Sequence, residues 1–282
     1  MATLKEIKGR ISSVQSTLKI TSAMKLVASA RLRKAQVAIE SMRPYSDRLQ
    51  GILVRLLSAP GVAAVPGAGA AGTGEQVVIV GVSSNSSLCG AFNANIIRRV
   101  QELLEEYPGA IVYGIGRKLS DYLRKAGRPS PENWNELSEH PSYAAASALS
   151  GRLRQAFAEG KVGKVLLVYN HFYSTARQAP VVETFLPAFI PSGESVEGET
   201  DYILEPSPAA LLEELFPKVL DLRFYTALLD SAAAEHAART VAMQMATDNG
   251  QELLQELTLQ YNKSRQQKIT AEILDLAAGA AQ

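Results

Sequence analysis

LKEIKGRISSVQSTLKITSAMKLVASARLRKAQ, residues 4–36, contains no proline and no aromatic residue, and its apolar and small side chains recur at intervals of three and four residues. The spacing continues past this stretch to cover about seven heptads, which is typical of a helix that pairs with another in a coiled coil. These positions, here called the N-terminal seam, are Leu4, Ile7, Ile11, Val14, Leu18, Thr21, Lys25, Ala28, Leu32, Ala35, Ile39, Met42, Leu49, Leu53 and Leu56. The pattern predicts one long helix over residues 1–58.

The other end of the chain predicts a second long helix, over residues 208–282, where no proline follows Pro217. Its C-terminal seam has the same three-four spacing and consists of Leu215, Val219, Leu222, Thr226, Leu229, Ala233, His236, Thr240, Met243, Thr247, Gly250, Leu254, Leu257 and Tyr261. Long amphipathic helices need a partner to bury their apolar stripe. We therefore expect the two terminal helices to wind around each other as an antiparallel coiled coil.

Between the helices, strand and helix patterns alternate. A Gly/Pro/Ala-rich stretch over residues 59–76 is typical of a linker, and residues 77–207 are expected to form a Rossmann-like α/β domain with a mixed sheet. The predicted strands are 77–83, 110–116, 164–170 and 179–188, and the predicted helices are 93–107, 117–127 and 143–160. The fold class is α/β, with a coiled coil added.

The positive charge is concentrated at the N-terminus. Residues 1–58 contain eleven Lys or Arg and three Asp or Glu, although the net charge of the chain is +1. Residues 19–36 contain no acid and five cations, namely Lys19, Lys25, Arg31, Arg33 and Lys34. Such a stretch is the solvated face of a coiled coil, a surface for an acidic protein or a phosphate-binding element. No aromatic side chain interleaves the charges for base stacking, which disfavours nucleic acid.

A nucleotide-binding enzyme is the main alternative suggested by the α/β region. The loop SSNSSLCGAFN, residues 83–93, has neither G-x-G-x-x-G nor G-x-x-x-x-G-K-[ST]. The three histidines lie in different segments without a metal-ligand spacing, and no G-x-S-x-G elbow occurs. We therefore expect no catalytic residues, no cofactor and no metal.

Two further features bear on the compartment. Cys89 is the only cysteine, and a lone cysteine is most often a small core residue. The first residues lack the apolar core of a secretory signal, and no run of about 18 apolar residues occurs. We expect the chain to reach a membrane only through partners.

Three separated motifs resemble the gamma subunit of the F-type ATP synthase. They are the N-terminal stretch quoted above, LCGAFN after the first predicted strand, and ATDNGQELLQELTLQYNKSRQQKITAEILDLAAGAA near the C-terminus. The last contains the pattern I-T-x-E-x-x-D-x-x-x-G-A from Ile269 to Ala280. The motifs occur in one order and extend over the whole length of the chain.

The resemblance implies a non-catalytic rotor shaft. In that family the two terminal helices pass through a ring of alternating alpha and beta subunits that holds the catalytic sites, while the α/β domain stands beside the membrane rotor. The expected partners are therefore the alpha and beta subunits of F1, the epsilon and delta subunits and the c-ring of Fo, with no nucleic acid. The expected location is the cytoplasmic face of a bacterial plasma membrane, as a peripheral protein.

The resemblance also implies which residues contact the beta subunits. Met24 and Lys25 match the Met-Lys pair of the family, which lies beside an acidic beta-subunit loop, and Arg265 and Gln266 match a polar pair that hydrogen-bonds a second loop. The full set of expected contacts is Met24, Lys25, Arg31, Arg33, Arg265, Gln266, Thr270 and Glu272. The chain departs from the family loop S-D-R-G-L-C-G-G-F-N at residues 85–87 and at Ala91.

Overall fold

A computed structural model describes residues 3–58, 74–188, 205 and 207–280. Most of the predicted linker and the acidic segment 192–200 lie outside these residues. The described helices are α1 (Leu4–Ser58), α2 (Phe92–Glu106), α3 (Arg117–Lys125), α4 (Glu136–Glu139), α5 (Tyr143–Ala158) and α6 (Pro208–Ala280). The strands are β1 (Val77–Val82), β2 (Ile111–Ile115), β3 (Lys164–Ser174) and β4 (Arg177–Leu186).

The chain divides into two compact units. The helical unit comprises residues 1–29 and 239–282, and the α/β unit comprises residues 30–238. This division differs from the predicted boundaries at residues 58 and 208, because residues 30–58 of α1 and 208–238 of α6 share a core with the sheet.

In the helical unit, α1 and α6 run in opposite directions. The hydroxyls of Thr21 and Thr247 are 3.0 Å apart, and Lys25 Nζ donates to Gln244 Oε1 at 2.8 Å. One turn further along α6, Gly250 packs against the Leu18 side chain. Every N-terminal seam position is at least partly buried, so the three-four spacing correctly identified the buried stripe of α1.

The α/β unit contains a four-stranded sheet with the order β2-β1-β3-β4. The first three strands are parallel, whereas β4 pairs antiparallel with β3. The sheet is therefore mixed, as predicted. A parallel connection needs a crossover, and the helices between the strands provide it.

Helices cover both faces of the sheet. On one face, α2 and α3 pack through a cluster that includes Ile96, Val100 and Leu119. On the other face, α5 packs around Phe185 together with the parts of α1 and α6 that belong to the α/β unit. The ring centroids of Phe185 and Phe224 are 5.6 Å apart. In the α/β unit, α6 packs against both α1 and the sheet. It therefore has a second buried stripe, which includes Leu212, Phe216, Leu220 and Phe224.

Candidate interaction surface

Most charges of the basic stretch of α1 lie off the N-terminal seam. Lys19, Arg33 and Lys34 are exposed, whereas Lys25, a seam position, is half-buried and donates a hydrogen bond to Gln244. Arg31 lies in the α/β unit and forms an ion pair with Glu139 of α4, with 3.5 Å between the charged atoms. Both partners are about half exposed, so this pair contributes about 0–1 kcal/mol and leaves the Arg31 charge accessible.

Exposed aliphatic side chains accompany these cations. Ile20, Leu26 and Val27 are 60%, 68% and 54% exposed in the helical unit. Scattered apolar side chains are normal on a surface, but three on one short basic stretch suit contact with another protein. They lie off the N-terminal seam, so the three-four spacing does not identify them, although apolar residues outside the seam of a basic helix are a usable signal.

The last part of α6 extends beyond the start of α1. Continuing the register of the Thr21–Thr247 and Lys25–Gln244 contacts places Leu4, the first residue of α1, beside Ser264. The four expected contacts beyond that point, Arg265, Gln266, Thr270 and Glu272, are all exposed. Glu272 lies 3.7 Å from Lys268 one turn earlier. Further exposed apolar side chains are Ile269, Ile273, Leu274 and Leu276.

The expected contact residues of the helical unit therefore form two groups. Met24 and Lys25 lie where the helices are paired, and Arg265 begins the group on the unpaired end of α6. From Gln244, the partner of Lys25, to Arg265 the helix rises about 32 Å. Arg31 and Arg33 belong to the α/β unit.

The crevice at the carboxyl ends of the parallel strands, where nucleotides bind in doubly wound folds, is filled by the chain itself. Three successive amides of α3 donate to the loop after β1, namely Arg117 N–H to Asn85 Oδ1 (2.9 Å), Lys118 N–H to the Ser84 carbonyl (3.1 Å) and Leu119 N–H to Ser83 Oγ (3.0 Å). A phosphate would bind to such helix-terminal amides. Their occupation disfavours the nucleotide-binding alternative.

The same loop is fixed on its other side by α2. Asn93 Oδ1 accepts from the Ser84 amide at 3.0 Å, and Asn93 Nδ2 lies 3.1 Å from the buried Sγ of Cys89. Cys89 is thus a core residue, as expected. Asn85, where the family loop carries Asp, holds the start of α3 instead of presenting a charge.

The histidines are not brought together at a site. His171 on β3 bonds Asp230 on α6, His140 is exposed after α4, and His236 is half-buried on α6. Among the residues that the structure describes, no three His, Cys, Asp or Glu side chains are grouped so that they could hold a metal ion. Within the described ranges, no helix is long and apolar enough to cross a membrane.

Comparison with known proteins places the chain in a family. The family model described as ATP synthase matches residues 3–282. The ATP synthase gamma chain of Phocaeicola vulgatus is 48% identical and that of Heliobacterium modesticaldum 38%, each over at least 99% of both chains.

Solved structures give the same fold. A chain from the Euglena gracilis mitochondrial ATP synthase, solved with its OSCP, F1 and c-ring, superimposes with a TM-score of 0.71 at 20% identity. The superposition covers 99% of this chain and 93% of that one. The sequence matches extend over nearly the whole length of this chain, which belongs to the ATP synthase gamma chain family.

Proposed function

We propose that this chain is the central rotor shaft of the F1 sector, coupling ion flow through a membrane ring to the conformational cycle of catalytic beta subunits. The observation that carries the proposal is the helical unit: two opposed helices with exposed cations and aliphatic side chains, and a single helix that extends beyond them. A surface of this kind suits contact with partner proteins along its length.

The two helices are proposed to form an antiparallel coiled coil, and the α/β unit a Rossmann-like foot. The opposed contacts and the buried three-four seam support the coiled coil, because paired helices with this repeat supercoil around each other. The strand order with β1 between β2 and β3 supports the Rossmann-like assignment.

The proposed partners are the alpha and beta subunits around the helices, and the epsilon and delta subunits and c-ring for the assembled enzyme. The similar solved structures come from a central stalk with its c-ring and from a rotor, which supports these assignments. The chain would be peripheral, at the cytoplasmic face of a bacterial plasma membrane. It would meet the membrane through the ring.

The chain would act by differential contact. An asymmetric shaft that turns inside a ring presents a different surface to each beta subunit, so it favours a different conformation in each. Only the difference in contact free energy between those conformations can shift their populations. The residues proposed to make these contacts are Met24, Lys25, Arg31, Arg33, Arg265, Gln266, Thr270 and Glu272.

Electrostatic attraction suits a surface that must move past its partner. Exposed charges act over about 8–10 Å at physiological salt and vary smoothly with position, whereas interdigitated apolar side chains resist sliding. The basic stretch therefore predicts acidic loops on the facing subunits and a contact that weakens as salt rises.

The test is reconstitution of the complete complex from alpha, beta and epsilon subunits with the full chain, followed by measurement of ATPase activity and rotation. We expect an active, rotating complex whose torque falls when residues 265–282 are removed or when Lys25→Ala is introduced. Lys125→Ala, which removes an exposed cation from α3 of the α/β unit, is the control and should have no effect. A complex whose rotation is indifferent to this chain would refute the proposal.

A further inference from the structure

The β3–β4 hairpin extends beyond the rest of the sheet. β1 pairs with β3 only along residues 164–168, whereas the β3–β4 pairing continues to Ser174 and Arg177. Residues 169–182 thus form a two-stranded ribbon, which is marginally stable unless something holds it. Two groups of polar side chains connect this ribbon to α6.

The first anchor lies at the base of the ribbon. Arg223 of α6 donates from Nε to Glu183 Oε1 at 2.5 Å and from its terminal nitrogen to the Thr184 carbonyl at 3.3 Å. Tyr169 donates its hydroxyl to the other oxygen of Glu183 at 3.1 Å. Burial, reinforced by the Glu183 carboxylate, raises the pKa of the Tyr169 phenol, which therefore remains a donor. The Arg223 guanidinium thus contacts β4 directly, and Tyr169 of β3 joins the anchor through Glu183.

The second anchor lies further out along the ribbon. Asp230 of α6 accepts the backbone N–H of Phe172 at 3.0 Å, and its other carboxylate oxygen bonds Nδ1 of His171. The Asp230 side chain is 13% exposed, and hydrogen bonds such as these stabilise a carboxylate that is largely buried. Phe172 also packs against the apolar cluster that contains Ala234 of α6.

The two anchors border a cavity in the packing between the ribbon, α6 and α1. Arg223 and Asp230 are seven residues apart, two turns along the same face of α6, which corresponds to about 10.5 Å. Between them is a cavity of about 440 Å³ lined by both anchors, by Thr226 of α6 and by Ile39 and Leu49 of α1. Apolar packing is incomplete here, so the polar contacts and Phe172 connect the ribbon to the helix.

We propose that Arg223 and Asp230 are positioning residues that transfer torque between the sheet and α6. The inference rests on the proposed rotor function, because only a rotor carries a load between these elements. Apolar contact is non-directional, whereas charge-assisted hydrogen bonds fix both distance and angle. Two such anchors, spaced along the helix axis, resist twisting of the ribbon about either one.

The test uses the complete membrane complex in inverted vesicles, with ATP hydrolysis and ATP-driven proton pumping measured together. For the double variant Arg223→Ala/Asp230→Ala we expect ATP hydrolysis to continue while the protons pumped per ATP fall. Amides 171–178 should exchange with solvent at least about tenfold faster in the full chain, because the ribbon opens locally. Lys218→Ala, which breaks an exposed α6 pair with Glu214, is the control and should change neither quantity.

Rescue separates positioning from general damage. Asp230→Glu keeps the charge and should keep the protons pumped per ATP near the wild-type value, whereas Asp230→Asn removes the charge and should lower them. If the double variant fails to assemble, Asp230→Asn against Asp230→Glu decides the question. Normal pumping per ATP with accelerated exchange would overturn the inference, as would unchanged exchange. A wild-type chain that never supports coupled activity would instead overturn the proposed function.

Discussion

Thr21 of α1 and Thr247 of α6 place their hydroxyls 3.0 Å apart in the seam, and both side chains are buried. Each hydroxyl also lies within hydrogen-bond distance of a carbonyl of its own helix, Leu18 for Thr21 and Met243 for Thr247. Thr21 and Thr247 are therefore a hydrogen-bonded pair and not a gap in the apolar stripe.

We predict that Thr21→Val or Thr247→Val alone costs about 1 kcal/mol of unfolding free energy, because each leaves one buried hydroxyl without its cross-helix partner. The double variant should be close to wild type, since both polar groups are then gone. Urea unfolding of the wild type, the two single variants and the double variant gives the four unfolding free energies of this double-mutant cycle. Additive losses in the double variant would contradict a direct pair.

A methyl group at Gly250 should be much less favourable than one at Gly9. An added Cβ at Gly250 would lie 2.7 Å from Leu18 Cδ2, whereas one at Gly9 meets nothing within 4 Å. Gly→Ala in a helix interior gains about 1 kcal/mol. We expect Gly9→Ala to show this gain in thermal unfolding and Gly250→Ala to lose part of it as Leu18 shifts. Equal effects would mean that the helices are not in close contact at Gly250.

Asp221 should be among the most sensitive positions of the α/β unit. Its carboxylate is 8% exposed and accepts from Ser147 Oγ at 2.7 Å and from Arg154 at 3.0 Å, joining α5 to α6. We predict that Asp221→Ala costs about 3 kcal/mol, because it strands a largely buried guanidinium. Arg124→Ala, which breaks an exposed pair with Asp121, should cost less than about 1 kcal/mol. Chemical unfolding distinguishes them, and similar losses would contradict the assignment.

Gly116 should tolerate no side chain. Its φ is +101°, and a Cβ there would lie 2.1 Å from the Ser83 carbonyl oxygen. Gly127 also has a positive φ, of +72°, but an added Cβ meets nothing within 4 Å. We predict a loss of about 1 kcal/mol for Gly127→Ala from backbone strain alone. Gly116→Ala should lose at least about twice as much and disturb the crevice, as seen by amide exchange at the start of α3.

Alkaline unfolding should depend on Tyr169. Because its folded pKa is raised above the ordinary value near 10, the unfolded chain loses this proton first as pH increases. The resulting stability is fully present below about pH 10 and is lost as pH rises through the folded pKa. Tyr169→Phe should therefore reduce the loss of stability between pH 9 and 11, measured by urea unfolding. The same pH dependence in both proteins would show that Tyr169 does not contribute.

The long helices could be predicted from sequence because periodicity reports burial directly. Ala28 and Leu32 are buried where the N-terminal seam places them. The second stripe of α6, which includes Phe216 and Phe224, is not visible in the sequence. When two faces of a helix are buried, their apolar residues overlap along the sequence and no single three-four spacing stands out. The four-residue α4 is too short to show any period.

The interaction surface was only partly predictable. The basic stretch is visible in the sequence, and the C-terminal contacts came from the family resemblance. The anchors of the ribbon were not predictable, because Glu183 and Arg223 are 40 residues apart and meet only after the sheet has packed on α6. For the same reason β3 continues to Ser174, beyond its predicted end at residue 170, through contacts that no local pattern contains.

In the crevice beside α3, a free anion would have to compete with acceptors that belong to the chain itself. The acceptors supplied by Ser83, Ser84 and Asn85 are tethered to the amides they serve, so their effective concentration far exceeds that of a dissolved metabolite. A phosphate would have to displace all three together and leave their own polar atoms without partners. We therefore expect the conformation of this loop to be independent of the concentration of nucleotide around it.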